Sequence, residues 1–202
     1  MKSTIYCIMG KSGSGKNTLK DALEKYGIIP LHECTTREKR PGEVNGEDYY
    51  FFSKEEFQKS DVICKSAYAT AAGILYYGIV KEKVKDNQLY SVIINPCEYM
   101  ELCLVYKTES EVIPIWIDTD DERRMIKTIC REEQRDYPNY QELCRRLKAD
   151  HIDFSEQNDN VQKILAKAIR IYNGYNIPMS EIASEVYNDS LRKREFIKED
   201  RK

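Results

Sequence analysis

The sequence predicts an α/β fold: a three-layer core with a mainly parallel sheet, carrying a small inserted β-rich lobe and a helical lid. Three observations lead there. A short apolar run, Thr4 to Met9, passes through a Gly- and Ser-rich stretch into a helical spacing. Further strand-like runs then alternate with helical ones, the pattern of crossover connections. Between them, residues 33–53 turn polar and carry Pro41, Gly42 and Gly46 before an aromatic run, Tyr49-Tyr50-Phe51-Phe52.

Taken in order, Thr4 to Met9 reads as a buried strand. Asn17 to Tyr26 reads as a helix with Leu19, Ala22 and Leu23 on one face, stopped by Gly27. Ile28 to Leu31 is a second strand. Ser53 followed by Glu56 is a capping box ahead of a short helix over Lys54–Lys59. Asp61 to Tyr68 and Tyr76 to Val80 read as strands around a turn at Ala71-Ala72-Gly73. Leu89 to Ile94 is a strand that stops at Asn95-Pro96, Cys97 to Lys107 a helix, and Val112 to Ile117 a strand. Asp120 to about His151 is charged and helical, with a break near Tyr137-Pro138. Asn160 to Tyr172 reads as an amphipathic helix, with Val161, Ile164, Leu165, Ala168, Ile169 and Tyr172 on one face. Gly174 and Pro178 punctuate the chain beyond it. Met179 to Leu191 either packs on the core as a helix or binds a partner, and Arg192 to Lys202 is expected to fray. This gives one domain: core 1–32, 85–120 and 155–175, lobe 33–84, lid 121–154 and C-terminal extension 176–202.

Composition narrows the function. The chain has 202 residues, 33% charged and 41% hydrophobic, with a formal net charge of -2. That balance suits a water-soluble globule large enough to fold without disulfides or metal. It gives no reason to expect a nucleic acid polymer or a membrane as partner. No apolar run approaches the roughly 20 residues of a membrane span. The N-terminal apolar stretch is too short for a signal peptide. The seven cysteines include no Cys-x-x-Cys pair, and the two histidines, His32 and His151, lie far apart. Zinc-site spacing is absent, and scattered thiols without a leader point to a reducing cytoplasm.

The stretch Gly10-Lys11-Ser12-Gly13-Ser14-Gly15-Lys16 matches G-x-x-x-x-G-K, the P-loop pattern of P-loop NTPase-type cores. Its glycines let several backbone N–H groups turn inward onto phosphate oxygens. The helix that comes next offers its positive N-terminus to the same anion. The nucleotide-binding set is therefore Gly10, Ser12, Gly13, Ser14, Gly15, Lys16, Asn17 and Thr18. Lys16 supplies charge for the β- and γ-phosphates. A Ser or Thr hydroxyl that would hold Mg²⁺ is expected after the lysine, but Asn17 stands there. Either its amide oxygen takes the metal, or phosphates and water hold it.

The second constellation runs from Thr35-Thr36-Arg37 through Arg40, Gly42-Glu43, Gly46 and Asp48 to Tyr49 and Phe51. Arg37 and Arg40 can fork onto one phosphate group. Tyr49 and Tyr77 can each donate a hydroxyl hydrogen bond to it. A monophosphate held this way would face the nucleotide in the P-loop.

These residues resemble the guanylate kinase family. The likeness rests on the P-loop, on Thr-Thr-Arg-x-x-Arg-x-Gly-Glu-x-x-Gly-x-Asp-Tyr-x-Phe, and on Tyr76-Tyr77-Gly78, and it continues more weakly to about residue 173. The resemblance implies ATP-dependent phosphorylation of GMP or dGMP, an enzyme of purine nucleotide metabolism, cytoplasmic, monomeric or homodimeric. It implies that Arg37, Arg40, Tyr49 and Tyr77 clamp the acceptor phosphate. It implies that Arg131, Arg135 and Arg146 are lid arginines around the transferring phosphoryl, Arg145 standing in for Arg146 if the register slips by one. Asn158-Asp159 sits where the family has an Asn-Asp pair near the adenine.

The base-reading positions depart from the family. Glu33-Cys34 replaces a hydroxyl residue, Ala67 or Tyr68 a glutamate, Ile79 a Ser or Thr, and Asn95 an aspartate. A carboxylate can accept from guanine N1–H and N2–H together, so Glu33 is the expected replacement reader. If it does not read guanine, the acceptor is another nucleoside monophosphate, including a deoxynucleotide. A family-like module that binds phospho-ligands without catalysis is the remaining alternative.

Overall fold

The computed structural model describes residues 2–40, 42–70, 73–174 and 178–199, with side chains as far as Leu191. The expected turn residues Ala71 and Ala72, together with Pro41, lie outside the described residues. A five-stranded sheet forms the centre, in the order β2 (Ile29–Pro30), β7 (Leu89–Ile93), β1 (Ser3–Met9), β8 (Ser110–Asp118), β9 (Ile169–Tyr172), with every neighbour pair parallel. The apolar run of β1 is continuous because both of its faces are covered. Ile5, Cys7 and Met9 enter one core; Tyr6 and Ile8 enter the other.

Each core is closed by helices. On one side α1 (Lys16–Glu24) brings Leu19, Ala22 and Leu23, and α7 (Met179–Glu199) brings Ile182, Ala183 and Val186. The open question about Met179–Leu191 is thereby answered: this helix completes a face of the core. On the other side α3 (Pro96–Tyr106) brings Leu102 and Tyr106, and α6 (Asp159–Leu165) brings Val161 and Ile164. Cys7, Cys34 and Cys64 are buried free thiols.

One expectation is overturned. The helix expected over Asn160–Tyr172 ends at Leu165, and Ile169–Tyr172 is the strand β9, in parallel register with Ile115–Asp118 of β8. The apolar residues fit a helical stripe, but a strand of four residues is too short to show a period of its own. Pairing with a neighbouring strand decides it. The expectation beyond Leu191 also shifts, since the backbone of α7 stays helical to Glu199.

A second, four-stranded sheet forms the lobe, in the order β4 (Tyr50–Phe51), β3 (Glu33–Thr35), β6 (Gly73–Val80), β5 (Val62–Thr70). The helix α2 (Lys54–Lys59) packs Phe57 beneath it and carries the expected capping box, Ser53 with Glu56. The register of β5 against β6 shifts between Ile63 and Ser66, where Cys64 has φ +52°. That bulge puts one extra residue into β5 and turns Ser66 and Tyr68 toward the same face as Tyr77. Over the open end of the central sheet lie α4 (Asp121–Glu133) and α5 (Tyr140–Asp153), separated near Tyr137-Pro138 as expected. Among the described residues no helix is long and apolar enough to cross a membrane.

Candidate active site

The loop between β1 and α1 lies at the carboxyl end of the central strand, the position at which open parallel sheets hold ligands. Glycine is required in it. Gly13 has φ +82°, and a Cβ there would come within 2.5 Å of the Arg124 carbonyl. Gly15, the N-cap of α1, has φ +98°, and a Cβ would meet Asn173 and Met179 at 2.9 Å. The loop is held from outside by Asn173, whose Nδ2 donates to the Ser14 carbonyl at 2.8 Å. Ser14 Oγ is buried with no hydrogen-bond partner among the described residues, an orphaned polar atom that an incoming oxyanion would satisfy. Lys16 Nζ donates to the carbonyls of Gly10 (2.6 Å) and Lys11 (3.2 Å). Burial pulls its pKa down to about 8, against the opposing pull of Asp150.

The Thr-Thr-Arg run works through backbone ties. Thr35 Oγ1 donates to the Tyr76 carbonyl (3.0 Å) and accepts from Arg37 N–H (3.2 Å). Thr36 Oγ1 accepts from Tyr76 N–H at 2.9 Å. Together they zip the end of β3 to β6, which sets Arg37 beside Tyr77. Glu43 then takes a fork from the Arg37 guanidinium (2.6 and 2.5 Å) and the Arg40 N–H (2.8 Å). Arg37 also lies over the rings of Tyr49 and Phe51, 5.2 Å from each centroid. Much of this motif is thus scaffold for Arg37 rather than ligand contact.

The main cavity, about 360 Å³, opens between the P-loop, the lobe and the lid helices. Ser12, Lys16 and Asn17 line it from the loop; Glu33, Arg37, Arg40, Tyr49 and Tyr77 from the lobe; Arg131, Arg145 and Arg146 from the lid. The pKa values of Arg40 and Arg131 are held down by burial and by neighbouring arginines, a crowd of positive charge awaiting an anion. Arg135 stands behind this wall. Its Nη1 donates to Glu132 at 2.9 Å, and Glu132, almost wholly buried, also accepts from Arg146 Nη2 (3.1 Å) and Asn139 N–H (2.9 Å). Thr18 is exposed on α1 and lines neither this cavity nor the next. A second cavity of about 350 Å³ opens on the far side of the loop and is lined by Gly10, Ser14, Arg124 and Gln157 among others.

On the Glu33 and Tyr68 side of the main cavity, the four departures fare differently. Glu33 sits near Lys20, Glu98 and Lys16, and burial pushes its pKa up to about 8. Tyr68, not Ala67, lines the cavity; its hydroxyl accepts from Asn95 Nδ2 at 3.1 Å, and Arg145 lies over its ring at 5.2 Å. Ile79 is buried in the core below. Sequence reading missed Glu132, Asp150, Arg124 and Asn173. The first three lie in charged helices with no local signal. Asn173 comes directly after β9 and was hidden by the helical reading; Asn158, of the Asn158-Asp159 pair, caps α6.

Comparison with known proteins agrees with this geometry. The family model described as guanylate kinase matches residues 2–173. Guanylate kinase of Baumannia cicadellinicola subsp. Homalodisca coagulata is 36% identical over 122 residues, 56% of this chain and 59% of that protein. Guanylate kinase of Rhodopirellula baltica is 40% identical over 88 residues, 40% of this chain and 41% of that protein. The aligned stretches thus span between 41% and 59% of the length of these two relatives. A crystal structure of guanylate kinase from Anaplasma phagocytophilum superposes with a TM-score of 0.57 at 19% identity, covering 95% of this chain and 86% of that one, a likeness of fold. With a family model matched over nearly all of the two sheets, the P-loop and the lid helices, this chain belongs to the guanylate kinase family.

Proposed function

We propose that this protein transfers the γ-phosphoryl group of ATP to a nucleoside monophosphate, GMP or dGMP first, giving the diphosphate and ADP. The observation that carries the reading is the convergence of Lys16, the Arg37–Tyr49–Tyr77 group and the lid arginines on one cavity. An acceptor phosphate oxygen attacks the γ-phosphorus while the bond to the β,γ-bridging oxygen breaks, and ADP leaves. Such a transfer needs alignment and positive charge more than covalent chemistry. Arg37, Arg40, Tyr49 and Tyr77 hold the acceptor phosphate. The Glu43 fork occupies only some of the Arg37 donors and leaves others for it. Lys16 meets the donor's β- and γ-phosphates, whose charge favours its protonated form. Arg131 and Arg146 surround the equatorial oxygens, and Arg135 acts beside them through Glu132.

The second cavity, on the Gly10 and Gln157 side, suits the base of ATP. Among the described residues there is no group of three acidic, His or Cys side chains able to hold a metal. Asn17, lining the main cavity on the first turn of α1, is the oxygen donor available to Mg²⁺, which otherwise rides on the phosphates and water. When bound, Mg²⁺ neutralises charge between the β- and γ-phosphates. The reading places the enzyme in the cytoplasm, as a monomer or homodimer.

Glu33 reads guanine as a carboxylate accepting from N1–H and N2–H. Its raised pKa favours a second reading below about pH 8: a neutral carboxyl both donates and accepts, which suits the adjacent donor and acceptor of adenine or cytosine. The test is ADP release from ATP and Mg²⁺ with a panel of ribo- and deoxynucleoside monophosphates. Turnover on GMP or dGMP is expected; turnover confined to another monophosphate would replace the guanine reading. No turnover on any would remove the kinase reading in favour of a binding module.

A further inference from the structure

The lid helix α5 carries an anion as well as arginines. Asp150 lies on its last turns, 138 residues from Ser12 in sequence, yet the Ser12 N–H donates to its Oδ2 at 2.8 Å. Arg124 Nη1 approaches the same oxygen at 3.7 Å. The Arg124 side chain is 3% exposed and that of Asp150 is 14% exposed. Arg124 Nε is committed to Asp121 at 2.6 Å, while Nη1 has no hydrogen-bond partner among the described residues. Lys16, the loop's own cation, bonds inward to the Gly10 and Lys11 carbonyls and feels Asp150 as its strongest opposing charge. A carboxylate thus sits on an N–H group of the phosphate loop, flanked by an arginine and a lysine. Those are the partners a phosphate oxygen seeks.

We infer that Asp150 is a resident anion of the phosphate loop, and that ATP binds by exchanging a phosphate oxygen for this carboxylate. The inference rests on reading the loop as the ATP site. Two anions cannot share the Ser12 N–H and the Arg124–Lys16 field without repulsion. Nucleotide entry therefore displaces the Asp150 carboxylate from the Ser12 N–H and leaves that donor and Arg124 Nη1 to the phosphate. Asp150 is a positioning residue in this exchange. It lowers ATP affinity.

The test is calorimetric titration of the full-length chain with MgATP at fixed pH and salt, for wild type, Asp150→Asn and Asp150→Ala. Removing a tethered competitor should tighten MgATP on the order of tenfold in both variants, the size of one charge-assisted hydrogen bond. GMP affinity, measured separately, should stay within about twofold. A substitution that merely damaged the lid would weaken MgATP instead. Equal or weaker MgATP binding in both variants, or failure of both to fold, overturns the inference and makes Asp150 a structural clasp. Wild-type protein that binds no MgATP would remove the reading of the loop itself. Wild type that binds it, with variants that bind no tighter, removes only the role of Asp150.

Discussion

The two ends of the main cavity are held together differently. At the phosphate end, Gly13 and Gly15 fix the loop, Thr35 and Thr36 zip β3 to β6, and Glu43 forks onto Arg37. Most of these ties are to backbone, so the cations they aim tolerate little substitution. On the Glu33 side, Asn95 meets Tyr68 through side chains alone, and the bulge at Cys64 sets which β5 side chains face the cavity. Side-chain contacts can be exchanged without refolding the frame. On the proposed function, the phosphate grip is therefore set by the frame and the base contacts by exchangeable side chains, so the chemistry is easier to read here than the substrate.

The largest effect should come from the phosphate end. Lys16→Ala should lower kcat by roughly 10²–10³, as for loss of a preorganised charge at a developing anion. Steady-state kinetics with saturating MgATP and monophosphate would show it; a loss confined to KM would break the contrast, making Lys16 a mere ground-state contact. Next is Gly13→Ala. A left-handed φ and a Cβ 2.5 Å from the Arg124 carbonyl should cost about 1–3 kcal/mol of unfolding free energy. Urea melts would register this, and an unchanged midpoint would mean the loop is not held as rigidly as the comparison requires.

The base end should respond more mildly and through pH. With Glu33 protonated below about 8, guanine binding requires the proton to leave. The KM for GMP should therefore fall by up to tenfold per unit as pH rises toward 8, then level. Glu33→Gln should flatten this profile and raise the KM for GMP at pH 8 by about tenfold. A flat wild-type profile would take Glu33 out of base reading. The smallest effect is expected of Tyr68→Phe, which removes the acceptor for Asn95 Nδ2. About a threefold change in acceptor KM, with the KM for ATP unaltered, would fit a replaceable side-chain contact; a collapse of kcat would place Tyr68 in the phosphate machinery instead.

The legibility of each feature depends on the range of the interactions that make it. The strand–loop–helix around Gly10–Lys16 and the Thr35–Tyr49 run were legible because each packs its determinants into a few contiguous residues. The capping box at Ser53 and the break near Tyr137 were legible for the same reason. The strand β9 was not, since four residues carry no period and only the edge of β8 makes them a strand. With it went Asn173, and by similar distance Glu132 as the hub for Arg135 and Arg146. By itself the sequence determined the α/β class, the phosphate loop and the arginine–tyrosine group, because local backbone geometry and residue chemistry suffice for those. Only the tertiary structure decided that Tyr68 rather than Ala67 faces the pocket, that Met179–Leu191 closes the core, and that Asp150 reaches Ser12. Each of these depends on where a bulge, a helix face or a lid comes to rest against residues far away in the chain.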